Sequence, residues 1–252
     1  MLVDSHTHLL MLDVPPEEAV REAAGAGVGV LVNIGTGVED SREGARLASR
    51  MPNVYSAVGI HPHNAGEHST SALETLAELA SEPGVVALGE VGLDYYRDRW
   101  PREVQRALFE EVVSLADSLR MPIVIHSREA FDDTMDVLKA ARGPVVLHCF
   151  EGGEREIREA SERGYYLGLA GNVTYKNSET ARHLHLIDPE RLLVETDAPY
   201  LSPQPVRGRP NAPKNVIHTA RFVAGRLGVS EEELAALTAR NARDVFRLPL
   251  EL

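Results

Sequence analysis

Short apolar runs alternate along this chain with segments in which apolar residues recur every three or four positions. The runs occupy residues 2–6, 28–34, 54–60, 85–90, 122–126, 144–148, 165–170 and 192–197. Their length and their content of branched residues predict strands buried on both faces, as in a parallel sheet. Between them, Ser71-Ala72-Leu73-Glu74 reads as a capping box ahead of an apolar stripe at Leu73, Leu76 and Leu79. Val104, Leu108, Val112, Leu115 and Leu119 line up as one face of a helix. A helix around Ile157 should stop at Gly164, and Ser230 to Glu233 forms a second capping box that opens a C-terminal helix through Leu234 and Leu237.

Eight strand–helix units in succession predict an α/β fold, a single (β/α)8 barrel of the TIM type spanning residues 1–252 as one domain. An open doubly wound sheet is the alternative. Residues 199–213 carry Pro199, Pro203, Pro205, Pro210 and Pro213, so neither a regular helix nor a central strand can form there. This segment is expected to be a long loop after strand eight.

Composition narrows the function classes. The formal charge is −12, so no global basic footprint for nucleic acid exists, and any polyanionic substrate must meet local cations or bound metal. Cys149 is the single cysteine, which rules out an intramolecular disulfide and suits a reducing compartment. The N-terminal residues lack the pattern of a secretory leader, and no apolar run approaches the roughly 18 residues of a membrane span. The expectation is a cytoplasmic protein, monomeric and without membrane attachment.

The candidate chemistry lies where the runs end. His6 and His8 close the first run, and residues two apart on a strand point to one side. Glu90 closes the fourth run, His126 the fifth, His148 the sixth and Asp197 the eighth. In a barrel these ends converge on one rim, where active sites sit. One histidine at a strand end is an ordinary polar residue, but imidazoles and carboxylates at five strand ends fit a divalent-metal site at the C-terminal ends of the strands.

The chain also carries Asp4-Ser5-His6-Thr7-His8, Gly59-Ile60-His61-Pro62, Gly89-Glu90-Val91-Gly92-Leu93-Asp94-Tyr95, Ile125-His126-Ser127-Arg128, His148-Cys149-Phe150 and Glu195-Thr196-Asp197-Ala198-Pro199-Tyr200. Over its whole length it resembles the TatD-type metal-dependent deoxyribonucleases, a branch of the amidohydrolase-like barrels. The resemblance implies two divalent ions. His6, His8 and Asp197 would hold one, His126 and His148 the other, and Glu90 would bridge them. No lysine occupies the bridging position, unlike amidohydrolases that bridge through a carbamylated lysine. Mg²⁺ or Mn²⁺ is expected for turnover, and the mixed donors also admit Zn²⁺, Ni²⁺ or Fe²⁺. The implied activity is hydrolysis of DNA phosphodiesters from a 3′ end, with single strands or 3′ ends as substrate and RNA as a further one.

Two cations facing a phosphodiester neutralise its charge and acidify a bound water. Asp197 is then the candidate general base, with Glu90 beside it in the catalytic set. Glu195 and Asp94 are expected to orient ligands, although Glu195 also fits a salt bridge inside the barrel. His61, Tyr95, Arg207 and Arg209 are the expected substrate contacts. Arg97, Arg99, Arg102, Lys176 and Lys214 lie in the same set of loops, and Tyr96 adjoins Tyr95. Glu151 and Ala212 depart from the family pattern, which usually has a small hydroxyl residue and a glutamate there, and both bear on substrate preference. Strand alternation would turn Cys149 away from the site. Two other functions fit the same ligands: an ester or amide hydrolase, for example on an aminoacyl-tRNA bond, and a metal-containing binding protein without turnover.

Overall fold

The computed structural model describes residues 1–251. Strands and helices alternate: β1 (Leu2–Thr7), α1 (Pro16–Gly25), β2 (Val28–Ile34), α2 (Val38–Arg50), β3 (Val54–Val58), α3 (Thr70–Leu79), β4 (Val85–Asp94) and α4 (Arg102–Leu119). They continue as β5 (Ile123–Arg128), α5 (Phe131–Val137), β6 (Val145–Leu147), α6 (Glu154–Glu162), β7 (Tyr166–Leu169), α7 (Glu179–Arg182), β8 (Leu192–Val194), α8 (Val216–Leu227) and α9 (Glu231–Phe246). The strands form one eight-stranded sheet in sequence order. Beyond β8 the chain returns to β1, where the Ser5 hydroxyl donates to the Val194 carbonyl (3.1 Å). This is the TIM-type (β/α)8 fold, and it replaces the open-sheet alternative. Among the described residues no helix is long and apolar enough to cross a membrane.

The chain divides into two compact units, Met1–Val32 with His148–Leu252, and Asn33–Leu147. The first buries Val3, Leu31, Leu167, Leu193, Val223, Leu234 and Phe246. The second buries Ile34, Val58, Leu76, Leu88, Phe109, Val112 and Ile125. Strands lined on both sides by such residues have no polar face to present to water, which is why the runs are continuous rather than alternating.

Boundaries differ from the sequence expectation where side chains compete for a cap. α3 is capped by Ser69, whose hydroxyl accepts from the Ala72 N–H (3.2 Å), so the helix starts earlier than a cap at Ser71 would place it. The box at Ser230 does form: Ser230 Oγ accepts from Glu233 N (3.1 Å) while the Glu233 carboxylate accepts from Ser230 N (2.8 Å). Gly164 follows α6 with φ +70°, the left-handed turn that ends a helix. On α4 the buried face is Gln105, Leu108, Phe109, Val112, Val113 and Ala116, and Leu119 is exposed.

Phe109 is fully buried in α4. Phe109→Ala removes its ring contacts and leaves a cavity that the helix cannot close, which costs about 3–5 kcal/mol. Urea unfolding of the two proteins should show this as a lower midpoint with little change in slope.

Candidate metal centre

In the first unit the centre is assembled where β1 meets the chain beyond β8. Asp197 N–H donates to the His6 carbonyl (2.9 Å), and His8 N–H donates to the Ala198 carbonyl (2.8 Å). The buried Asp4 carboxylate accepts from both the N–H and the hydroxyl of Thr196 (2.8 and 2.6 Å). These bonds clamp the His-x-His segment beside the aspartate. Asp197 itself takes φ +55°, a left-handed turn that aspartate tolerates better than bulkier residues and that marks the end of the strand direction. As a result Asp197 Oδ1 lies 3.6 Å from His6 Nε2 and 3.3 Å from His8 Nε2. Donors about 2.1 Å from a shared ion are separated by roughly 3.0–3.4 Å, so the His8–Asp197 spacing suits a shared divalent cation and the His6–Asp197 spacing is slightly wider.

His148 lies past the end of β6, with its ring stacked on His6 (centroids 3.8 Å, planes 13° apart). Its Nδ1 is 3.5 Å from Glu195 Oε1. Glu195 is fully buried and also accepts from Cys149 N–H (2.5 Å) and the Ser5 hydroxyl (3.2 Å). Gly168 makes the space: a Cβ there would stand 2.2 Å from Glu195 Oε2. His6, His148 and Glu195 therefore form a second metal-capable trio, with donor atoms within 4.8 Å of one another. Because β6 stops at Leu147, strand alternation does not govern Cys149, which is half-buried at φ +48°.

In the second unit β4 does not end at Glu90 but runs on to Asp94. Its register against β5 shifts between Leu88 and Val91, a bulge that turns Glu90 out of the regular ladder. Gly89, at φ +119°, permits the bulge, since a Cβ there would stand 2.3 Å from the Val124 carbonyl oxygen. Glu90 Oε1 is then 2.7 Å from His126 Nδ1 and 3.6 Å from His61 Nε2. His61, Glu90 and His126 place donors within 4.8 Å of one another. The other nitrogen of His126 faces Asp94 Oδ2 (3.2 Å), which also pairs with His63 Nε2 (2.8 Å). Burial raises the Asp94 carboxyl's pKa, but the hydrogen bonds from His126, the Arg97 N–H and His63 outweigh it and hold the group well below the usual carboxylate range. The same balance holds at Asp197, where the hydrogen bond from His8 and the charges of His148, His8 and His6 overcome burial.

His63 is absent from the residues that the strand ends single out, although its spacing two residues from His61 was the available signal. Asn211 was also missed. Its buried amide donates to the Thr196 and Tyr200 carbonyls (2.9 and 2.8 Å), pinning the proline-rich loop against the segment beyond β8 that carries Asp197. The expected substrate contacts are less uniform. His61 sits among the metal-capable groups. Tyr95 donates its hydroxyl to Asp133 (2.7 Å), and Arg102 covers its ring; burial and then Asp133 push its pKa up to about 12. Arg207 is exposed and lies over Tyr175 (4.1 Å), and Arg209 is exposed. Lys214 is paired with Glu22 (2.9 Å), and Glu151 accepts from Asn172 (2.7 Å).

A model of the family described as "TatD related DNase" matches residues 3–247. The chain belongs to this family. It is 34% identical to the metal-dependent hydrolase YabD of Bacillus subtilis, over 98% of this chain and all of the relative. It is 37% identical to the 3′-5′ ssDNA/RNA exonuclease TatD of Citrobacter rodentium, over 93% of each. Among solved structures it is similar to the TatD homologue YJJV of Escherichia coli, with a TM-score of 0.90, 30% identity and 98% of each chain covered. It is a metal-dependent hydrolase of the TatD family, with imidazole and carboxylate groups that can hold metal in each unit.

Two outcomes are expected of this TatD-family site. Gly168→Ala should drive the Glu195 carboxylate from its pocket, lowering the metal that co-purifies, read by elemental analysis, as well as the melting temperature. Asp94 has a folded pKa below its unfolded value of about 3.9, so its stabilisation is complete above that pH and is lost as pH falls through the folded value. In metal-free protein, Asp94→Asn should therefore flatten the loss of stability on acidification below about pH 4, measured by denaturant melts. An unchanged acid limb would contradict the assigned ionisation.

Proposed function

We propose that this hydrolase cleaves phosphodiester bonds of single-stranded DNA, and of RNA, from the 3′ end. The observation that carries the proposal is the pair of metal-capable trios, His6–His148–Glu195 and His61–Glu90–His126, with Asp197 Oδ1 within 3.6 Å of His6 and 3.3 Å of His8. The relatives named 3′-5′ ssDNA/RNA exonucleases support the substrate. We propose that His6, His8, Glu90, His126, His148 and Asp197 hold two divalent ions, Mg²⁺ or Mn²⁺ in turnover, with His61 as a further donor beside Glu90. We also propose that the chain acts as one monomeric domain.

Bound cations supply charge neutralisation at the phosphate and a water of lowered pKa. The remaining work belongs to the chain. Asp197 is held ionised by the histidines around it, and so can accept the proton of the attacking water as that oxygen bonds to phosphorus and one ester bond breaks. Glu195 places its carboxylate 3.5 Å from His148 Nδ1, where it favours a positive charge on that ring. Asp94 orients His126 through its Nε2, which leaves Nδ1, on the Glu90 side, for ligation.

The test uses chelator-treated protein and a 5′-labelled single-stranded oligonucleotide, supplied with Mg²⁺, Mn²⁺ or Zn²⁺ in turn. Wild type should give a metal-dependent ladder that shortens from the 3′ end. Asp197→Asn should lower the rate at least 100-fold, in the range that loss of a general base produces. An oligonucleotide left intact under all three metals overturns the nuclease reading and directs the search to ester and amide substrates.

A further inference from the structure

The loop after β4 and the end of β5 carry a cationic aromatic surface that the hydrolytic groups leave unused. Tyr96 is 54% exposed. The guanidinium of Arg128 lies over its ring at 4.0 Å, and that of Arg97 stands 5.5 Å from the same ring centre. Elsewhere in this acidic chain arginines are commonly neutralised: Arg106 pairs with Glu110 and Asp136, Arg158 with Glu154, and Arg221 with Glu231. Among the described residues, Arg97 and Arg128 have no carboxylate within ion-pair distance, so their charge remains available. The neighbouring Tyr95 shows the contrast. Its hydroxyl is committed to Asp133, and the Arg102 on its ring is within 3.8 Å of Asp98.

The strand register places this surface next to the metal-capable groups. Gly92 pairs with His126 and Asp94 with Arg128, and Tyr95 N–H donates to the Arg128 carbonyl (2.9 Å). Arg128 is two residues beyond His126 on β5, so it shares that strand face about 6.5 Å further out. An exposed aromatic ring beside uncommitted guanidiniums is what single-stranded nucleic acid requires: a stacking face for any base and positive charge for the backbone. We propose that Tyr96 and Arg128, assisted by Arg97, form a nucleotide subsite next to the hydrolytic centre, with Tyr96 stacking a base and Arg128 holding a phosphate. This rests on the nuclease reading above.

The experiment measures fluorescence anisotropy of a 5′-labelled single-stranded dT 12-mer in EDTA, where neither metal contacts nor turnover contribute. Arg128→Ala should weaken binding about ten-fold and reduce the slope of log Kd against log salt by about 0.7, the loss of one phosphate contact on a single strand. Tyr96→Ala should weaken binding about ten-fold with an unchanged slope, and Tyr96→Trp should restore it, since any aromatic face will stack. An oligonucleotide abasic at every position should be held no better by wild type than by Tyr96→Ala. Both side chains are exposed, and thermal melts in the same buffer identify any variant that fails to fold; Arg128→Gln then replaces Arg128→Ala. If wild type binds and degrades single strands while these variants keep its Kd and slope, the subsite is overturned and the nuclease reading survives. If wild type neither binds nor degrades them under any metal, both fall together.

Discussion

The bonding of β1 to the chain beyond β8 is the constraint on which the His6–His8–Asp197 trio depends. Two backbone hydrogen bonds and the Asp4–Thr196 pair hold the segments in register. Asp4 is fully buried, and burial pushes its carboxyl well above the usual range, with the nearby Glu195 adding to the shift. Two short bonds from Thr196 oppose that cost, and a hydrogen bond to a charged group contributes about 1.5–3 kcal/mol. Isolated burial of a carboxylate costs several kcal/mol, so the Thr196 bonds offset the penalty only in part. Asp4 thus favours the fold most when protonated, the opposite sign to Asp94 and Asp197. One seam combines a register clamp with an electrostatic cost, beside the residues that would bear the chemistry.

The second unit reaches a comparable arrangement by another route. A bulge at Gly89 and Glu90 redirects one carboxylate, while the regular part of β4 carries Asp94 further along. His126 is gripped at both nitrogens, by Glu90 and Asp94. A ring held on two sides loses little freedom on taking a ligand, so the orientation is settled by protein contacts before any ion or substrate arrives.

The strands were legible in the sequence because burial on both faces leaves runs such as 28–34 without interruption. The ends were less so. Glu90 read as a strand terminus, but the bulge lets β4 continue; Gly89 permits it, and the need for glycine comes from the neighbouring backbone at Val124, which the local pattern does not show. Ser69 and Ser71 both offered a cap, and local pattern alone could not choose between them. The His-x-His pair and Asp197 came together as spacing and strand ends suggested. His63 and Asn211 acquire their roles only from partners distant in sequence, Asp94 and Thr196. Tyr95 and Tyr96 were indistinguishable as letters. The difference lies in Asp133, which occupies one of them and not the other.

The first unit is discontinuous, joining residues 1–32 to residues 148–252 across the sequence of the second. This has a consequence for synthesis on the ribosome. The second unit is contiguous, whereas β1 leaves the tunnel long before its seam partner is translated. At about 5–20 residues per second, that partner follows roughly ten to forty seconds later. During this interval β1, with His6 in it and His8 just beyond, has only part of its final surroundings. The chain is most open to mispairing, and to stray metal, while it is still being made.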